Sequence, residues 1–209
     1  MSTTTSAIPS TNVNVTSNLD ILTDPRAYVD FHSKARTLKY NIQKKLNEVL
    51  ANTPSGLFEY IKENCILSGS SISSLYHSEA PKDYDLWFKD AQSINVVKEY
   101  IEATYPDEIA ELSEEYNGLK TNSKVITKNA ITFKNKMQMI ILGDYQTMRK
   151  TFDFTHCLPY YDIKDEKFYI SEHQMELIAR KKLEINPGGK TPVQWRIEKF
   201  KSRGWSWSF

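Results

Sequence analysis

Two acids one residue apart, Asp83 and Asp85 in the run Asp83-Tyr84-Asp85-Leu86-Trp87-Phe88, are the residues here best suited to chemistry. In an extended chain alternate side chains share a face, so both carboxylates point one way while Tyr84 and Leu86 point the other. Two such acids repel unless a cation lies between them, and carboxylate oxygens are ordinary ligands of Mg²⁺. Upstream, Gly69–Ser70 reads as a turn opening a short helix, where backbone N–H groups and a hydroxyl suit an anion, most obviously a phosphate. The pair and the turn together outline a divalent-ion site beside a phosphate cradle.

These residues need a sheet and helices to hold them. An apolar stripe at three- and four-residue steps (Tyr28, Phe31, Ala35, Leu38, Ile42, Leu46, Leu50) predicts a helix from Pro25 to Leu50, with Asp24 as cap and Pro25 in its first turn. A shorter helix over Leu57–Lys62 leads to a strand at Cys65–Leu67, a helix at Ser71–Tyr76 and the acid-bearing strand. Ser93 to Tyr105 reads as an amphipathic helix and residues 106–120 as an acidic helix or loop. Strands follow at Lys124–Thr127, Ala130–Phe133 and Met137–Leu142, then a short helix to Lys150 and a strand over Thr151–Cys157. Tyr160–Asp162 and Lys167–Ile170 form a hairpin, and Ser171 caps a helix running to Leu183. A last helix spans Pro192 to Ser202. The order is that of an α+β protein, one mixed sheet covered by helices with a C-terminal helical extension.

The 209 residues suffice for one substantial domain. Residues 1–20, rich in Ser, Thr and Asn, read as a disordered tail or a partner-docking arm. Residues 21–170 form the core, and 171–209 a basic helical segment packing on it. A net charge of +1 excludes a uniformly basic nucleic-acid coat, yet eight basic residues from Arg180 to Arg203 stand against Glu184 and Glu198. Arg196, Lys199 and Arg203 recur at helical steps and share a face, either solvated or turned to a triphosphate or a nucleic-acid backbone. The closing Trp205, Trp207 and Phe209 either pack on the core or a partner, or stack on bases. No apolar run reaches membrane-spanning length, and the N-terminus lacks the pattern of a signal peptide. Cys65 and Cys157 are expected as buried thiols in a reducing compartment, the host cytoplasm or a virion if the protein is viral.

Gly69–Ser70, a spacer, then Asp83-Tyr84-Asp85-Leu86 resembles the signature of the DNA polymerase β-like nucleotidyltransferase superfamily. Ala130-Ile-Thr-Phe133, Met137-Gln138-Met139-Ile140, Phe152-Asp153-Phe154-Thr155-His156-Cys157 with Tyr160–Asp162, and the closing Arg196-Ile-Glu-Lys199-Phe-Lys-Ser-Arg203-Gly204-Trp205 are similar to a branch of it found in phages and large viruses. The resemblance implies transfer of a nucleoside monophosphate from an NTP to a hydroxyl acceptor, such as an RNA end, with pyrophosphate leaving. Asp83 and Asp85 would hold Mg²⁺ or Mn²⁺, and Gly69, Ser70 and Ser71, with Arg196, Lys199 and Arg203, the nucleotide's phosphates. A third carboxylate is also implied, for which Asp153 is the candidate and Gln138 the rival position. With an amide in that place the chain would instead be an inactive binding or structural relative, for instance a viral component. His156 and Cys157, adjacent on an expected strand, should face opposite ways. His77 and Glu79 lie in the loop before the acids, within reach of a substrate.

Overall fold

The computed structural model describes residues 25–51, 55–104, 119–121, 124–126, 129–133 and 135–207. The expected N-terminal tail, most of the acidic stretch and Phe209 lie outside them.

Helices α1 (Pro25–Leu50) and α2 (Ser55–Asn64) precede strand β1 (Cys65–Ser68), helix α3 (Ser70–Tyr76), strand β2 (Tyr84–Phe88) and helix α4 (Ala91–Thr104). Strands β3 (Leu119–Thr121), β4 (Lys124–Ile126), β5 (Ala130–Phe133) and β6 (Met137–Asp144) follow, then α5 (Tyr145–Thr151), β7 (Tyr160–Asp162) and β8 (Lys167–Tyr169). The chain closes with α6 (Glu172–Ala179), β9 (Lys182–Leu183), α7 (Gln194–Lys201) and β10 (Ser206–Trp207). The eight-stranded sheet has the order β3-β4-β5-β6-β2-β1-β7-β8. Its β2–β6 pair is parallel and the others are antiparallel, so the sheet is mixed, as the element order implied.

Register sorts the side chains by face. Ile131, Met139, Leu86, Leu67, Tyr161 and Phe168 fall in one cross-strand row, all inside the main apolar cluster. The stripe of α1 (Phe31, Ala35, Leu38, Ile42, Leu46, Leu50) closes over that face, with Leu57 and Ile61 of α2 and Ile94 and Val97 of α4. One residue along each central strand, Ala130, Ile140, Trp87 and Ile66 turn to the opposite face, where Met148 of α5 joins their small cluster and Tyr145, Phe152 and Tyr160 pack against it. Asp85 belongs to this side, with Asp83 just ahead of β2. The hairpin β7–β8 forms as the sequence implied, and Ser171 and Gln174 make a reciprocal capping box on α6.

Three elements differ from the sequence reading. Leu119 and Lys120, at the end of the stretch read as an acidic helix or loop, belong to strand β3. Lys181 adopts a left-handed φ of 48° and stops the helix expected to reach Leu183, leaving Lys182–Leu183 to pair in parallel with Ser206–Trp207. Thr151 to Cys157 is no strand. It finishes α5, makes a single bridge from Phe154 to Ile185, and coils into a 3₁₀ turn at Thr155–Cys157. Around it Phe154, Cys157, Leu183, Phe200 and Trp205 form a third apolar cluster that fastens α7 to the core, with Trp207 against its edge.

Candidate functional site

Strand β1 ends at Ser68, and at Gly69 the chain must reverse into α3. Gly69 has φ of 89°, a conformation that side chains resist, and it caps α3 with no side chain of its own. A Cβ placed there would also stand 2.6 Å from Oδ2 of Asp85. The Asp85 carboxylate is therefore packed directly on the Gly-Ser turn. The turn is pinned from behind. Gly69 N–H donates to the Cys157 carbonyl at 3.2 Å, while Ser68 Oγ donates to the carbonyls of Cys157 and Pro159 at 3.1 and 2.8 Å. Ser71 Oγ beside it is buried with no hydrogen-bond partner. Gly69→Ala is expected to cost about 1–3 kcal/mol from the strained backbone alone. Urea denaturation measures that loss, and a cost below about 0.5 kcal/mol would show that the turn relaxes freely.

Burial, with Asp83 as the second cause, pushes the Asp85 carboxyl up to about 7, while Arg196 and Lys199 pull it back. The neighbour of Asp85 across the parallel β2–β6 pair is Gln138. Its amide nitrogen donates to Thr132 Oγ1 on β5 at 2.8 Å, completing a polar row of Thr132, Gln138, Asp85 and Ser68 across four strands. Asp153, expected to be the third acid of the set, is placed otherwise. Its buried carboxylate is gripped by the Arg196 guanidinium, Nε to Oδ2 at 2.5 Å and Nη2 to Oδ1 at 3.0 Å. Among the described residues no group of three or more His, Cys, Asp or Glu is arranged to hold a metal ion. The donors on this face are two carboxylates and an amide, and an amide supplies no negative charge. They do not fit the three-carboxylate pocket that the resemblance implied.

Cations of the C-terminal segment act on the acids, Arg196 and Lys199 both drawing the Asp85 carboxyl down. Lys199 of α7 is half-buried, and its ammonium is pushed below the usual lysine range by burial and by Arg196, Arg203 and Lys82, with Asp83 opposing. Arg196 from α7 and Arg203 from just past its end thus both act on Lys199, and Lys82 joins them from the loop before β2. The sequence reading did not include Lys82, though its place directly before Asp83 was a usable signal. Arg196 also lies over the Trp195 and Phe200 rings, 5.7 Å from each centroid.

The remaining candidates sit elsewhere. The 3₁₀ turn brings His156 and Cys157 together, Nε2 to Sγ 3.4 Å, where a strand would have parted them. Burial holds the imidazole down to about 3 and pushes the thiol up to about 12, so both are neutral. His156 is sandwiched between Phe154 and Trp205, a packing element of the third cluster. His77 donates to the Ile178 carbonyl at 2.8 Å and Glu79 pairs with Lys181 at 2.6 Å, so both tie the loop to α6 and its end. Cys65 and Cys157 are free and buried, and no helix among the described residues is long and apolar enough to cross a membrane.

Residues 36–181 match the model of the Gabija anti-defense 2 family, and the chain belongs to that family. It is 25% identical over 172 residues to "Gabija anti-defense 2" of Bacillus phage SPbetaL7, a match covering 78% of this chain and 39% of that protein. The chain therefore spans about two fifths of the length of that relative. Among solved structures it is similar to the Thermotoga maritima CCA-adding enzyme complexed with tRNA, at a TM-score of 0.43 and 8% identity, over 78% of this chain and 42% of the other. The viral setting implied by the later motifs has a counterpart in this family, whose similar member comes from a phage.

Proposed function

We propose that the protein is a phage anti-defence factor acting inside the host cell, on a transferase-like scaffold that holds a nucleoside triphosphate without transferring it. The observation that carries this reading is Gln138 beside Asp85, with Asp153 already spent on Arg196. A phosphate-facing half of the site is supported by Lys199, which Arg196, Arg203 and Lys82 all disfavour in its charged form, a crowding that an incoming polyphosphate would relieve. The family's name supplies the setting, interference with the Gabija defence. An NTP should raise the melting temperature by mass action, and no pyrophosphate should appear with Mg²⁺ or Mn²⁺. Lys199→Glu should abolish both the NTP shift and phage plaquing on a Gabija-bearing host, whereas Asp85→Asn should keep plaquing.

A second reading keeps the transfer reaction, with an RNA end or other hydroxyl as acceptor. It is favoured by one observation, the Asp85 carboxyl held near neutrality as a general base requires. Pyrophosphate release that vanishes in Asp85→Asn, together with loss of plaquing, would establish this reading and overturn the first.

A further inference from the structure

On the helix-covered side of β2, opposite the acid pair, lies a cleft of about 520 Å³. That is inside the range of roughly 300–1,000 Å³ typical of small-molecule sites. Its floor is apolar, made by Val49 of α1, Leu75 of α3, Pro81 and the Tyr84 ring. Its rim is cationic. Lys44 and Lys45 come from α1 and Lys136 from the β5–β6 turn. Against these three stands Glu48, since the other acid on the rim, Glu79, is held by Lys181. Lys45 answers Glu48 at 2.8 Å, Lys44 acts on the same carboxylate, and Lys136 Nζ rests on the Pro81 carbonyl at 3.3 Å, so three lysines share one acid.

The walls are held in costly conformations. Ser78 and Lys136 line the cleft at φ of 57° and 68°, two of the four non-glycine residues in the left-handed region among the described residues. Such strain collects at ligand sites, where the surroundings fix a shape the chain would not choose. An apolar floor, a phenol at its back and an excess of lysines over acids at its mouth suit one chemistry, a flat apolar body with an anionic end.

We propose that this cleft is a second ligand site, independent of the acid-pair site, and that it takes a small organic anion with a planar apolar body. Tyr84 joins the cleft to the other face, because the next residue along β2 is Asp85. The test is isothermal titration of the full chain with AMP, benzoate and orthophosphate. At least one of the two planar anions should bind at least tenfold more tightly than orthophosphate, and which one does distinguishes a nucleotide from an aromatic carboxylate. Lys44→Glu/Lys136→Glu should weaken that binding at least tenfold, and Ala80→Trp, which fills the mouth without altering charge, should do the same. Lys199→Glu should leave it unchanged. No binding, equal binding of orthophosphate, or loss in Lys199→Glu with retention in both cleft variants would overturn the proposal. The Lys199→Glu arm separates this outcome from failure of the triphosphate reading, since that reading predicts no effect of the cleft variants on the NTP shift.

Discussion

Asp153→Asn is expected to destabilise the protein by about 3 kcal/mol, the cost of leaving one partner of a buried ion pair uncompensated. The Asp153 side chain is 7% exposed and that of Arg196 28%, and the two meet through a two-pronged fork. Removing the negative charge leaves the guanidinium facing Lys199 with less to offset it. The backbone around Asp153 is also committed, its carbonyl accepting from Asn186 N–H at 2.9 Å, so the site cannot easily collapse around the change. At about 2–4 °C per kcal/mol for a domain of this size, the melting temperature should fall by about 6–12 °C. Arg196→Met should cost a similar amount, and the double variant much less than the sum, as expected for directly coupled groups. A metal-ligand role makes the opposite forecast, a stable Asp153→Asn that has lost its response to Mn²⁺. A loss under about 1 kcal/mol in urea would return Asp153 to the metal-ligand reading.

That ambiguity explains why this part of the site was hard to read from sequence. An acid inside an apolar run must meet positive charge, and a metal ion and an arginine satisfy the need equally. The deciding partner lies 43 residues downstream, on a helix whose docking follows from the third cluster rather than from any local pattern. Gln138 was legible as the rival position, but its register with Asp85 was not. It depends on β2 pairing in parallel with β6 across α4 and three strands, and register of that kind belongs to the sheet, not to either strand. By contrast, the alternation of Asp83 to Phe88 was decisive, because Tyr84, Leu86 and Phe88 had to find one core and Asp85 could not join them. The stripe of α1 was legible for the same reason. Phe152 to Cys157 shows where alternation fails. Phe, Asp, Phe, Thr, His and Cys satisfy a period of two, but the capped helix α5 before them and the bridge to Ile185 leave no strand to pair with. The acid pair and the Gly-Ser turn were thus visible as a local motif, whereas their electrostatic partners came from the far end of the chain.

Asp85→Asn is expected to make the protein more stable at pH 8, and by much less at pH 4. The folded state holds the Asp85 carboxyl at about 7 against an ordinary 3.8, so in that interval the native protein keeps a proton the unfolded chain has released. Its contribution is fully present below about 3.8 and lost as pH rises through about 7. The interval corresponds to on the order of 4 kcal/mol. His156 acts in the opposite sense. Its imidazole is held down to about 3 from 6.5, so its contribution is present above 6.5 and disappears as pH falls toward 3. The two slopes oppose each other in the wild type between pH 4 and pH 6.5, so the contribution of the acid is masked there. Subtracting the Asp85→Asn curve isolates the acid, because asparagine mimics its protonated form and leaves the histidine slope in place. The difference, by urea denaturation at intervals from pH 4 to pH 8, should grow steadily and level off above about 7. Lys199→Gln removes one of the two cations that pull the carboxyl down, and should move that plateau to higher pH. A pH-independent difference would mean that Asp85 is ionised throughout, and the electrostatic account of this face would fall with it.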